Sequence, residues 1–118
     1  MAWEVVLHTA VEEWYLHLSE SEREKVAAAI NELKQKGPLL GRPFVDHVKG
    51  STVRNLKELR PIGTSIRCLF VFDQSRRAVI LVAGDKKGQW KDWYPSQIGL
   101  AEARYIKHAE GRRDFFNE

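Results

Sequence analysis

Residues 53–84 read VRNLKELRPIGTSIRCLFVFDQSRRAVILVAG, and this stretch decides the fold. Three strand-like runs follow one another in it: 53–60, 66–73 and 78–84, separated by a Pro61-Ile62-Gly63 turn and by residues 74–77. Links this short imply antiparallel neighbours, because a parallel pair needs a crossover of roughly a dozen residues. The middle run alternates. Ile66, Cys68, Phe70 and Phe72 share one face, and Arg67, Leu69, Val71 and Asp73 share the other. Arg67 thus interrupts an apolar row. A guanidinium there is either paired, with Glu58 on the adjacent strand as the candidate, or turned to a cavity that takes a positive charge. In the first run Leu56, Glu58 and Arg60 point one way, while Asn55, Lys57 and Leu59 point the other.

Working outward, residues 2–8 read as a short strand, with Trp3, Val5 and Leu7 alternating with Glu4 and His8. Thr9 opens a helix with Glu12 three residues on, the capping-box spacing, and Val11, Trp14, Tyr15 and Leu18 form one apolar stripe. Ser19 and Glu22 repeat the device for a second helix carrying Val26, Ile30 and Leu33, which Gly37-Pro38 stops. Two capped helices with almost no linker make an αα-hairpin. Residues 38–51 read as a surface loop, and 88–95 as a turn-rich stretch holding Trp90, Trp93 and Tyr94. A last helix is predicted from 96 to about 111, with Leu100, Arg104, Ile106 and Lys107 giving a mixed face. The expected architecture is one α+β domain over 1–118, ordered β-α-α-β-β-β-α, with helices on one face of a mainly antiparallel sheet.

With 118 residues, 43% apolar and 30% charged, the chain is long enough to bury a core without staples. No apolar run approaches the roughly 20 residues of a transmembrane helix. Neither a secretory leader nor a membrane partner is expected, and the lone Cys68, inside an apolar run, points to a reducing cytoplasmic compartment and a buried filler role. The four histidines stand far apart, with no metal-binding spacing, and no phosphate-cradling glycine loop follows a strand, so no metal or cofactor is expected. Charge is uneven: residues 1–48 balance to −3, residues 49–91 to +7 and residues 92–118 to −1. A basic middle third favours a polyanion such as nucleic acid, or an acidic protein, and the acidic αα-hairpin is expected to pack on the sheet instead of touching such a partner.

Adjacent strands deliver Arg60, Arg67 and Lys86 toward one region. Taken singly, the 53–60 strand face and the Asp85-Lys86-Lys87 strand end also read as ordinary solvated surface. Together with the aromatic-rich turn that follows, the cations suit single-stranded nucleic acid, with charges tracking phosphates and rings stacking on bases. The expected RNA-contacting residues around the cluster are Lys57, Lys87, Lys91, Trp90 and Trp93.

The strings Asn55-Leu56-Lys57-Glu58-Leu59-Arg60-Pro61, 66–73 and Gly84-Asp85-Lys86-Lys87-Gly88-Gln89-Trp90, with Trp93-Tyr94 and the Leu40-Gly41-Arg42-Pro43 approach, resemble the HigB-type, phage-derived branch of the RelE/ParE toxin superfamily. The resemblance spans essentially the whole chain. It implies a toxin of a toxin–antitoxin pair, most often a metal-independent endoribonuclease acting on ribosome-bound mRNA by attack of a ribose 2′-OH on the adjacent phosphate. It implies Arg67 as the phosphate-stabilising residue, with Arg60 and Lys86 as further catalytic cations, Tyr94 for stacking or proton transfer, and a helix-turn-helix or small acidic antitoxin as partner. Glu58 stands where several relatives carry a second lysine, either as general base or as a partner for Arg67. Lys57 has the wrong strand parity to line the face of Arg60. Two other readings stand beside this one: a ParE-like inhibitor of a protein target such as DNA gyrase, and a non-catalytic nucleic-acid-binding regulator.

Overall fold

The structure is a computed structural model. It describes the backbone of residues 2–111 and 115–117 and the side chains of 2–89 and 91–111. In chain order the elements are β1 (Glu4–His8), α1 (Thr9–Leu16), α2 (Glu20–Lys36), β2 (Val45–His47), β3 (Lys57–Leu59), β4 (Ile66–Phe72), β5 (Arg77–Asp85), α3 (Trp90–Ala109) and β6 (Phe115–Asn117). Among the described residues the strands form one six-stranded sheet in the order β2-β3-β4-β5-β1-β6. The β3-β4-β5 meander is antiparallel as expected, and β1 joins it in parallel beside β5, with Val6 opposite Val79. The α+β class holds.

The alternation of β4 organises two cores. Ile66, Cys68 and Phe70 pack with Val11 of α1 and with Val26, Ala29, Ile30 and Leu33 of α2. Leu69 and Val71 pack with Trp93, Ile98 and Ala101 of α3. The helices therefore cover both faces, not one. The central strands are apolar on both sides for that reason. Cys68 is the buried filler expected, and burial pushes its thiol up to about 12.

Local signals were mostly obeyed. Ser19 and Glu22 form a full capping box at α2. At α1 the cap is His8, whose ring Nδ1 accepts the Ala10 N–H at 3.0 Å, so Thr9 is the first helical residue and not the cap. Gly37 ends α2 at φ 54°, where a Cβ would run into the Trp3 indole. Gly37→Ala is accordingly expected to cost more than about 1 kcal/mol, read as a lower urea midpoint.

Four further features depart from the sequence reading. Residues 38–51 contain the edge strand β2, three residues long. The run 53–60 is strand only over Lys57–Leu59, because Asn55 turns the chain at φ 61°. Residues 90–95 are not a loop but the start of α3. Tyr94, Ile98, Ala101 and Tyr105 recur at helical spacing toward the sheet, and burying that stripe outweighs the missing N–H of Pro95 inside the helix. The C-terminal strand β6, antiparallel to β1, had no counterpart in the sequence reading.

Candidate active site

Site residues gather where the carboxyl-terminal part of β3, the start of β4, the end of β5 and the first turns of α3 meet. Glu58 lies opposite Leu69 in the β3–β4 ladder, and one register step beyond the Leu59–Cys68 pair Arg60 comes opposite Arg67. Both side chains thus leave the sheet on the α3 face, and both line one groove. Lys86 reaches the same face through a bulge. Leu69 pairs with Val82 but Phe70 with Ile80, so Leu81 is an extra residue in β5. Leu81 and Val82 both enter the α3-side core, and the alternation beyond them is inverted. A regular strand would send Lys86 to the side of Ile80; the bulge turns it to the side of Arg67. Gly84 permits the start of α3 to sit close, since a Cβ there would lie 3.1 Å from the Trp93 Nε1.

The cluster is dense with charge. Arg67 is 7%, Glu58 8% and Lys86 4% exposed. Arg67 Nη1 donates to the Ile66 carbonyl at 2.7 Å and to that of Thr64 at 3.4 Å. Its Nε lies 3.3 Å from Glu58 Oε1, but the N–H is poorly aligned with that oxygen and has no hydrogen-bond partner among the described residues. The Tyr94 hydroxyl donates to the same Glu58 oxygen at 2.7 Å. Lys86 Nζ lies 5.5 Å from the centre of the Tyr94 ring. Burial, then the charge of Arg67, holds the Lys86 ammonium below its ordinary value against the opposing pull of Glu58. All five proposed catalytic residues are therefore in one electrostatically coupled group. Of the alternatives left open for Arg67, the pairing with Glu58 is present, and the residue also lines a groove with Arg60.

The outer contacts divide. Lys87 and Lys91 are exposed beside the cluster. Lys57 points to the other face, its Nζ 5.4 Å from the centre of the Phe72 ring, as its parity foretold. Trp93 is 5% exposed and belongs to the α3 core, so it is a packing residue and does not offer a stacking face. The Trp90 side chain lies outside the described residues. Asp46 is a member that sequence reading missed. On β2 it sits opposite Glu58, accepts from Arg42 Nη2 at 2.7 Å and lies 3.9 Å from Arg60 Nη1. Its only sequence signal was an acid in an otherwise basic approach, hidden inside a presumed loop. Among the described residues no three His, Cys, Asp or Glu side chains gather as a metal site would need, and no helix is long and apolar enough to cross a membrane.

Tyr94 yields a pH prediction. Burial, followed by the hydrogen bond to Glu58 and its charge, pushes the phenol up to about 12 from an ordinary 10.0. The folded state then holds this proton more tightly than the unfolded chain. Its contribution to stability is complete below pH 10 and declines as pH climbs toward 12. Urea melts across that window should fall more steeply with pH for the wild type than for Tyr94→Phe.

A mixed sheet with an αα-hairpin on one face, a C-terminal helix on the other and a cation cluster at the meander's end defines a RelE-like α+β protein. The family model of phage derived protein Gp49-like (DUF891) matches residues 13–106. The protein assigned as toxin HigB3 of Mycobacterium tuberculosis is 50% identical over 100 residues, covering 85% of this chain and 88% of that protein. One assigned as toxin HigB2 of the same organism is 43% identical over 98 residues, covering 80% of this chain and 49% of that protein. The chain belongs to the Gp49-like phage-derived family, within its HigB-like toxin branch.

Proposed function

We propose that this toxin is an endoribonuclease that cleaves mRNA held on the ribosome, using the ribose 2′-OH of the message as nucleophile, with no metal in the chemical step. One observation carries the reading: Arg60, Arg67 and Lys86 converge from three neighbouring strands on one spot that also holds a carboxylate and a phenol. In the proposed step the 2′-oxygen attacks the adjacent phosphorus, its proton passes to Glu58, and the 5′-oxygen leaves with a proton from the Lys86 ammonium. The products are a 2′,3′-cyclic phosphate and a free 5′-OH. Arg60 and Arg67 match the extra negative charge of the phosphorane, and fixed cations in a water-poor site are worth most where charge develops. The lowered proton affinity of Lys86 suits a donor, since proton transfer is efficient when the acid holds its proton less firmly. Tyr94 orients Glu58. The toxin names of the relatives support a cognate antitoxin; in this reading it is a small acidic or helix-turn-helix protein that covers the basic face or props the active-site geometry open.

Mapping mRNA 5′ ends after induced expression tests the reading. New ends within messages are expected for the wild type and none for Arg67→Ala. Intact messages with DNA damage and blocked replication would move the protein to the gyrase-inhibitor reading instead.

A further inference from the structure

We propose that the groove beside Arg60 and Arg67 is the subsite for one nucleoside flanking the cleaved phosphate, with Lys25 of α2 contacting the next phosphate at its rim. This inference rests on the ribonuclease reading and adds to it a base-binding surface and a residue from the helical hairpin. The groove has a volume of about 240 Å³. That is below the roughly 300–1,000 Å³ of pockets for drug-sized ligands, so it accommodates a single ring system. Two arginines, Arg60 and Arg67, line it together with the apolar Pro43, Pro61 and Ile62. Ile62 is 50% exposed, a large apolar side chain left open beside two cations. Apolar surface lining the same groove as two arginines matches a base joined to its phosphate better than it matches acidic side chains, which have no ring to place there.

The groove is braced in advance. Thr64 Oγ1 donates to the Pro61 carbonyl at 2.8 Å and accepts the Ile66 N–H at 3.1 Å. Arg67 holds the Thr64 and Ile66 carbonyls, so the base surface and the phosphate site are tied into one turn. Gly63 also lines the groove at φ 79°, and the position its Cβ would take lies 3.8 Å from Lys25 Nζ. A cation from the acidic hairpin is thereby stationed at the same turn. A strand of RNA passing Gly63 would meet the positive charge of Lys25 as well as that of Arg60 and Arg67, with apolar lining beside them.

The test is an amide NMR titration with a trinucleotide whose riboses are 2′-O-methylated, which binds without being cleaved. Two analogues lack the first or the third base. The intact trinucleotide should shift the amides of Ile62, Gly63 and Thr64 together with those of Arg67 and Lys86. One of the two abasic analogues should lose the Ile62–Thr64 shifts and bind about tenfold more weakly, as should the intact RNA with Ile62→Ser. Lys25→Ala should lower the salt dependence of binding by about 0.7 in slope, the loss of one phosphate contact on a single strand. Shifts at Arg67 and Lys86 without any at Ile62–Thr64, with both abasic analogues binding like the intact RNA, would overturn the subsite and leave the ribonuclease reading standing. No shift anywhere at millimolar RNA would also overturn the subsite, whereas the ribonuclease reading stands or falls with the mapping of mRNA 5′ ends.

Discussion

Replacing Arg67 with alanine is expected to lower mRNA cleavage by about 10²–10³-fold, the usual cost of removing one preorganised group that stabilises a charged transition state. Arg67 stands beside Arg60 on the face that carries Lys86, and its Nε is buried without a hydrogen-bond partner among the described residues. The alanine variant also leaves Glu58 buried with its cation gone, and breaking a buried pair in this way typically costs about 3–5 kcal/mol of stability. Arg67→Lys separates the two effects. It keeps a positive charge for Glu58 but loses the planar fork, so it should melt near the wild-type temperature and still cleave at least tenfold more slowly. Cleavage at the wild-type rate by a folded Arg67→Lys would show that fork geometry is not used.

Phe70→Ala is expected to cost about 3–5 kcal/mol in urea unfolding, a large share of the roughly 5–15 kcal/mol by which a domain is stable. Phe70 is fully buried in the centre of β4, on the face opposite Arg67. It meets the Phe72 ring edge-on at 5.3 Å and packs in the core that α1 and α2 complete. No polar partner is left behind, so the loss is that of burial and of the cavity. Because Arg67 shares its strand but not its face, the folded fraction of Phe70→Ala should retain cleavage activity per folded molecule. A loss under about 1 kcal/mol would mean that β4 is not the centre of the sheet.

What the sequence disclosed follows from periodicity and capping. The two-residue alternation of 66–73 separated Phe70 from Arg67 correctly, and the Ser19–Glu22 pair marked the start of α2. Three-residue strands such as β2 and β6 offer no period to detect, and both lie at sheet edges where pairing partners, not propensity, define them. Pro95 concealed the first turns of α3, because the benefit of seating Tyr94, Ile98 and Ala101 on the sheet is tertiary. The site was legible as a list of cations but not as a geometry. Nothing in 78–84 announces the extra residue at Leu81, and without that bulge Lys86 would face away from Arg67. Asp46 was invisible for a related reason: its partners Arg42 and Arg60 come to it only through the β2–β3 pairing. Trp93 was misjudged since an aromatic beside lysines reads alike whether it stacks on a base or on Gly84.

The most direct measurement takes the purified toxin with programmed ribosomes and a message in which only the nucleotide preceding the cut carries 2′-deoxyribose. The account predicts that the all-ribose message is cut to a 2′,3′-cyclic phosphate end, and that the single deoxy substitution stops the cut with binding unimpaired. Scission of the deoxy message at the same bond, or a linear 3′-phosphate formed without a cyclic intermediate, would contradict it.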